Sequence, residues 1–206
     1  DIEETQDLKL MPLRYHKDRL LRTADFSLRY CDAAANAVRN VTFELKNGDR
    51  IALDGANGCG KTSLVKAILA CNKDGEAVSS DYKTTGILEV PQNLIISYIS
   101  QDTSHLKGSL RDFAREKRLD YTLLLALLRQ LDFERVLFDK DMELYSEGQK
   151  KKVLIASSLL TPAHLYIWDE PLNYIDVYTR MQIEKLLLAF RPTMLFVEHD
   201  VRFKET

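Results

Sequence analysis

Apolar positions change period along the chain, and the changes mark its elements. DFSLRY (25–30), VRNVTFEL (38–45) and DRIALDG (49–55) alternate apolar with polar residues or run apolar with β-branched ones, which predicts three strands, Asn47-Gly48 turning between the last two. KTSLVKAILA (61–70) then places its apolar residues at helical spacing, so strand, glycine-containing loop and helix follow in the order that opens an α/β unit. Residues 72–86 are polar and turn-rich, and ILEVPQNLIISYIS (87–100) holds two more strand-like runs split by Pro91. Residues 109–138 read as two helices rich in leucine and arginine, part of a small helical lobe over about 105–160. A helix over 147–160, a buried strand HLYIW (164–168), a helix from Asp176 to about Phe190 and a strand TMLFVE (193–198) complete the pattern. The expected fold class is α/β: a mainly parallel sheet with a β-rich beginning and an inserted helical lobe. Residues 1–22, charged, mixed and interrupted by Pro12, read as a linker tail or docking arm, which leaves 23–206 for the domain.

Composition narrows the function classes. With 45% hydrophobic and 29% charged residues over 206 positions, the chain can bury a core. No apolar run approaches the ~18 residues that cross a bilayer, and the opening DIEETQDLKL lacks the basic and apolar parts of a secretory signal. Cys31, Cys59 and Cys71 are odd in number and lack metal-ligand spacing, which fits a reducing cytoplasm. The net charge of −2 excludes a broad basic surface and, with it, naked nucleic acid as the main partner; a local patch for an RNA–protein assembly stays open. Only eight glycines are present, and Gly55, Gly58, Gly60 and Gly148 fall in two short motifs.

The first motif is Gly55-Ala-Asn57-Gly58-Cys59-Gly60-Lys61-Thr62, a full G-x-x-x-x-G-K-[ST] match followed by Ser63. Such a loop turns successive backbone N–H groups onto phosphate oxygens where a Cβ would block the approach, and the helix it opens adds a partial positive charge. Lys61 would pair with the β- and γ-phosphates of ATP, and Thr62 would offer its hydroxyl to Mg²⁺. Further on, the apolar strand LYIW would deliver Asp169 to the metal at the carboxyl edge of the sheet, with Glu170 next in line to polarise an attacking water.

Tyr145-Ser146-Glu147-Gly148-Gln149 precedes a helix and lies 23 residues (from Ser146) before Asp169; Ser146 suits an N-cap whose free N–H groups would face a phosphate. The segment resembles the LSGGQ signature of ATP-binding cassette (ABC) proteins, whose domain is a P-loop NTPase. Other residues match in order: Gln101 resembles the glutamine that senses Mg²⁺ and water, Asn173 to Asp176 the D-loop by which paired cassettes touch, His199 the switch histidine at the γ-phosphate, and Tyr30 the aromatic that stacks on adenine. The resemblance implies an ATPase active only when a second cassette is paired head to tail, so that Ser146, Glu147, Gly148 and Gln149 serve the partner's ATP. YSEGQKKKVLIASSLL, HLYIWDEPLNYIDV and RPTMLFVEHDVRF are more closely similar to the ABC-F group, in particular the second cassette of its antibiotic-resistance branch (Vga-, Lsa- and Sal-like proteins). That implies a cytoplasmic, ribosome-associated protein with rRNA and tRNA as partners, no membrane insertion and no sequence-specific DNA.

Three departures stand out: Glu147 replaces a signature glycine, Tyr145 a leucine, and Glu198 a serine. Cys59 fills a position usually held by serine. Lys150-Lys151-Lys152 reads as a solvated helix face, with rRNA contact as the other possibility. The chain stops seven residues after His199, which reads as a C-terminally incomplete cassette. Two other classes share the motifs. The ATP-binding subunit of a membrane ABC transporter would use the helical lobe to hold a coupling helix, although only 45 residues separate Gln101 from Ser146. A chromosome-maintenance or repair clamp would need sustained heptads, and none is present.

Overall fold

A computed structural model describes residues 10–53 and 59–197, apart from the side chain at position 59. Gly55, Asn57, Gly58, Glu198 and His199 therefore lie outside the described residues. The chain divides into two compact units, one taking in 14–96, 163–169 and 192–206, the other 1–13, 97–162 and 170–191.

In the first unit β1 (Arg19–Tyr30) runs between β2 (Val38–Lys46) and β4 (Tyr82–Glu89), antiparallel to both. A second sheet has the order β3-β7-β6-β5, with β3 (Arg50–Leu53), β6 (Leu165–Asp169), β7 (Met194–Val197) and β5 starting at Ile96. Here β7 pairs in parallel with both neighbours, and Asp169 is level with Val197, which is itself level with Leu53. All residues of β6 and β7 are buried, the continuous apolar run of a strand covered on both faces. Helix α1 (Cys59–Asp74) contributes Leu64, Val65, Ile68 and Cys71 to a single core cluster with Leu20, Phe26, Leu28 and Leu45 from the antiparallel sheet and Leu165, Ile167, Leu195 and Val197 from the parallel one. Each such side chain contributes roughly 1.5–3 kcal/mol by leaving water.

The second unit is helical. Ser109 caps α2 (Leu110–Glu116) by accepting from the Asp112 N–H, and Asp120 caps α3 (Tyr121–Gln130) by accepting from the Leu123 N–H. Leu124, Leu127 and Leu128 form the buried stripe of α3 at the i, i+3, i+4 spacing. Two 3-10 turns (Arg135–Asp139 and Met142–Leu144) lead into α4 (Glu147–Leu160), and α5 (Val177–Phe190) starts at its N-cap Asp176.

Two strands differ from their sequence expectation. β1 begins at Arg19 rather than residue 25, inside the stretch read as a linker, because register shifts break its alternation: Leu20 and Leu21 are adjacent and both buried. Tyr15 is buried as well; its hydroxyl donates to Asn93 Oδ1 at 2.8 Å, and its backbone exchanges hydrogen bonds with the Asn47 side chain. β4 begins at Tyr82 within the polar stretch 72–86, since an outer strand held by its backbone ladder to β1 needs no apolar period.

His164 joins this unit through its ring: Nδ1 accepts from the Ile95 N–H at 2.8 Å, and the ring meets Tyr15 edge-on at 5.3 Å between centroids. Burial, with a smaller push from His16, lowers the pKa of His164 below the usual histidine value. Folding therefore favours the neutral ring, so this contribution is intact above about pH 6.5 and is lost as pH falls below it. The urea midpoint should drop between pH 7 and pH 5, and His164→Asn, which retains an acceptor, should flatten that drop; an equally steep drop in the variant contradicts the assignment.

Candidate nucleotide site

In the first unit β3 runs toward the glycine loop, and α1 begins directly after it at Cys59. Gly60 sits where an added Cβ would collide with the carbonyl oxygen of Ala37, so only glycine fits this first turn. Lys61 follows with 7% of its surface exposed. Thr62 Oγ1 donates to Asp169 Oδ2 at 3.1 Å, and Asp169 is wholly buried at the end of β6. The Tyr30 and Ser63 hydroxyls lie 2.8 Å apart, and the Tyr30 ring meets Tyr82 edge-on at 6.1 Å. Tyr30, Gly60, Lys61, Thr62, Ser63 and Asp169 thus belong to one unit, five of them on or beside the first turn of α1 or the end of β6.

The donor set fits Mg²⁺. That ion takes hard oxygen ligands at 2.0–2.1 Å in octahedral geometry, so adjacent ligands lie roughly 2.9 Å apart. A hydroxyl and a carboxylate oxygen 3.1 Å from each other match two adjacent positions, and a buried carboxylate gains most from a cation.

The second unit carries Gln101, the Ser146–Gln149 segment, Glu170, Asn173 and Asp176. Ser146 caps α4 in a full capping box: its Oγ accepts from the Gln149 N–H at 3.2 Å, and the Ser146 N–H donates to Gln149 Oε1 at 2.9 Å. The Ser146 hydroxyl keeps its own proton to donate while accepting the cap bond. A Cβ on Gly148 would come within 2.5 Å of the Tyr174 carbonyl oxygen, so the signature glycine lets the D-loop backbone close onto α4. Tyr174 and Glu170 both have positive φ, 65° and 50°, in the left-handed region that non-glycine residues seldom adopt. The Asn173 amide donates to Glu170 Oε2 at 2.9 Å. Asp176 accepts from the Thr179 N–H and hydroxyl, each at 2.8 Å, and its carboxylate lies 3.6 Å from the Lys152 ammonium. Burial alone would raise the Asp176 pKa; those hydrogen bonds and Lys152 outweigh it and hold the carboxyl below the usual range.

Several residues hold roles that no motif announces. The Thr103 hydroxyl, two positions after Gln101, donates to Glu147 Oε2 at 2.7 Å, so the carboxylate that replaces a signature glycine is tied to the segment following Gln101. Two of the three lysines in the run depart from both expectations for it, while Lys150 stays half-exposed. Lys151 and Lys152 are buried, Lys151 Nζ donating to the Gln101 carbonyl and Lys152 Nζ to that of Asp132, each at 3.2 Å. Their stems pack while their charges find carbonyls far away in sequence, a pattern invisible to local charge counting. Tyr145 is buried too, edge-on to Phe133 at 5.4 Å, and donates to the Leu137 carbonyl at 2.6 Å. Burial pushes its pKa up to about 12. Tyr145→Phe would leave that carbonyl without this donor and should cost about 1 kcal/mol in urea unfolding; unchanged stability would show that the hydroxyl adds nothing.

No helix among the described residues is long and apolar enough to cross a membrane. A family model described as "ABC transporter" matches residues 38–173. The chain is 30% identical over 176 residues to the ATP-binding protein Uup of Buchnera aphidicola, covering 81% of this chain and 28% of that protein. It is 25% identical to ABC transporter F family member 2 of Arabidopsis thaliana, covering 77% and 23%. Among solved structures it resembles the archaeal ribosome recycling factor aABCE1, crystallised with the ribosomal stalk protein aP1, at a TM-score of 0.69 and 26% identity, covering 92% of this chain and 35% of the other. The chain spans about a quarter of the length of these curated relatives. The fold is the P-loop ATPase cassette expected from the motifs, and the chain belongs to the ABC transporter family as one of its ATP-binding domains.

Proposed function

We propose that the chain binds Mg²⁺–ATP and hydrolyses it as one of two paired cassettes in an ABC-F protein that works at the ribosome. The hydrogen bond between Thr62 and Asp169 carries the nucleotide part of this reading, because it joins the first turn of α1 to the end of β6 through two oxygens suited to one metal. The glycine loop from Gly55 to Gly60, with Asn57, Gly58 and Cys59, wraps the phosphates, Lys61 neutralises the β- and γ-oxygens, and Ser63 lies on the same turn. Tyr30 stacks on adenine. When bound, the metal screens charge between phosphate oxygens and nucleophile. Glu170 accepts hydrogen-bonding from the attacking water and orients it, with Gln101 and His199 completing the contacts to water and γ-phosphate.

Pairing is supported by what unit two leaves open: Ser146 keeps a hydroxyl proton to donate, and Tyr174, Val177, Tyr178, Met181 and Leu188 expose more than half of their surface along the D-loop and α5. The signature from Ser146 to Gln149 and the D-loop residues Asn173 and Asp176 then serve the site of the opposite cassette. The F family name of one relative supports the ABC-F placement, and one structural neighbour, a ribosome recycling factor, supports the ribosome. Antibiotic resistance by ribosome protection rests on WDEPLN and VEHD.

In the full-length protein, Lys61→Ala should weaken ATP binding at least about tenfold, whereas Glu170→Gln should keep binding and lower turnover about a hundredfold or more. Unchanged ATP affinity in the first, or parental turnover in the second, refutes the assigned role. The Glu170→Gln protein should pellet with ribosomes in ATP; recovery with membranes and not with ribosomes would favour the transporter.

A further inference from the structure

The helical unit contains a recess of about 490 Å³ lined by Arg111, Tyr121, Thr122, Leu125, Arg129, Arg135 and Phe138. Three elements build it: Arg111 comes from α2, Arg129 from the same face of α3 as Tyr121 and Leu125, and Arg135 and Phe138 from the 3-10 turn, whose i and i+3 side chains eclipse one another. Three arginines thus line one recess, and no aspartate or glutamate is among its lining residues. The contrast with Arg115 is direct: that arginine pairs with Asp112 at 3.4 Å, whereas among the described residues Arg111, Arg129 and Arg135 make no ion pair. All three are exposed, so a ligand reaches them from solvent.

Like charges around one recess repel each other, and a chain of net charge −2 has carboxylates enough to neutralise them. A ligand bringing its own negative charge removes the repulsion. Planar guanidinium forks match phosphate oxygens two at a time. Aromatic rings lie beside them: the Arg111 guanidinium covers one face of Tyr121 at 4.5 Å from the ring centre, a cation–π stack, and Phe138, stacked on Phe133 at 5.9 Å, is half-buried at the recess wall. Phosphate-binding forks beside stacking faces are what a single nucleic-acid strand meets in proteins that hold its backbone without reading sequence.

We infer that this recess binds the phosphodiester backbone of a nucleic-acid strand, with the arginines on phosphates and a base against the aromatic wall. The identification of that strand as RNA rests on the ribosome reading above; the phosphodiester chemistry does not. None of Lys61, Thr62, Asp169 and Glu170 lines the recess, so altering it should leave basal ATP turnover unchanged.

The test uses the full-length protein, a fluorescent 20-nucleotide single-stranded RNA and a DNA of the same sequence. Charge reversal at all three positions (R111E, R129E and R135E) should weaken RNA binding at least about tenfold and reduce the slope of log affinity against log salt by about 2. The triple Arg→Gln variant, gentler on folding, should show the same direction with parental ATP turnover. Equal affinity for the DNA also supports the site and shows that backbone rather than sugar is recognised. Absence of RNA binding by the parental protein, unchanged binding in both variants, or equally effective competition by poly-glutamate overturns the inference, the last in favour of an acidic protein partner. Arginine-dependent RNA binding in a protein that never pellets with ribosomes would refute the ribosome reading and keep this site; pelleting with RNA affinity unaffected by the substitutions would do the reverse.

Discussion

A fully buried carboxylate is the constraint around which the unit built on the two sheets is organised. Asp169 has no exposed surface, and a charge in that position needs partners close by. Thr62 supplies one through its hydroxyl at 3.1 Å, and so fixes where α1 starts relative to the end of β6. That placement demands the rest. β6 must be covered on both faces to carry Asp169 inward, which Leu165, Tyr166, Ile167 and Trp168 achieve, and β7 must keep parallel register beside it, Asp169 level with Val197. The first turn of α1 must pass close to the β1–β2 connection, which Gly60 permits by having nothing to strike the Ala37 carbonyl.

The helical unit solves a different problem, holding a signature segment whose residues depart from the family pattern. Tyr145, where the family pattern has leucine, packs edge-on to Phe133 and donates a hydrogen bond to the Leu137 carbonyl. Glu147 in place of glycine does not stand alone at the helix start; Thr103 holds one of its oxygens. Lys151 reaches the Gln101 carbonyl, so α4 is fastened twice to the segment around Gln101. Gly148 remains glycine, where the Tyr174 carbonyl leaves no room for a Cβ. Tyr145 and Glu147, two of the residues that differ from the family pattern, each have a local hydrogen-bond partner.

Local chemistry made part of this legible in the sequence. The glycine loop before Lys61 and Thr62 is legible because a strand pattern precedes it and a helical one follows, the helix over 147–160 stands where periodicity put it, and the buried strand expected over 164–168 is found at Leu165–Asp169. Features that depend on distant neighbours stayed hidden. The register shifts of β1 put Leu20 and Leu21 on the inside together and erased the alternation that marks a strand. The polar half of β4 is held by pairing with β1. Lys151 and Lys152 look solvent-facing until their carbonyl partners, 50 and 20 residues away, come into place. The bond from Thr103 to Glu147 spans 44 residues and carries no sequence mark.

In the proposed site Thr62 and Asp169 together form the metal end of the nucleotide cradle. The most direct measurement is ATP affinity of the full-length protein with and without Mg²⁺, compared with Asp169→Asn. The parental protein should bind ATP more tightly when Mg²⁺ is added, and the variant, with a neutral amide in place of the carboxylate, should lose most of that gain. An equal Mg²⁺ enhancement in both proteins would contradict the account.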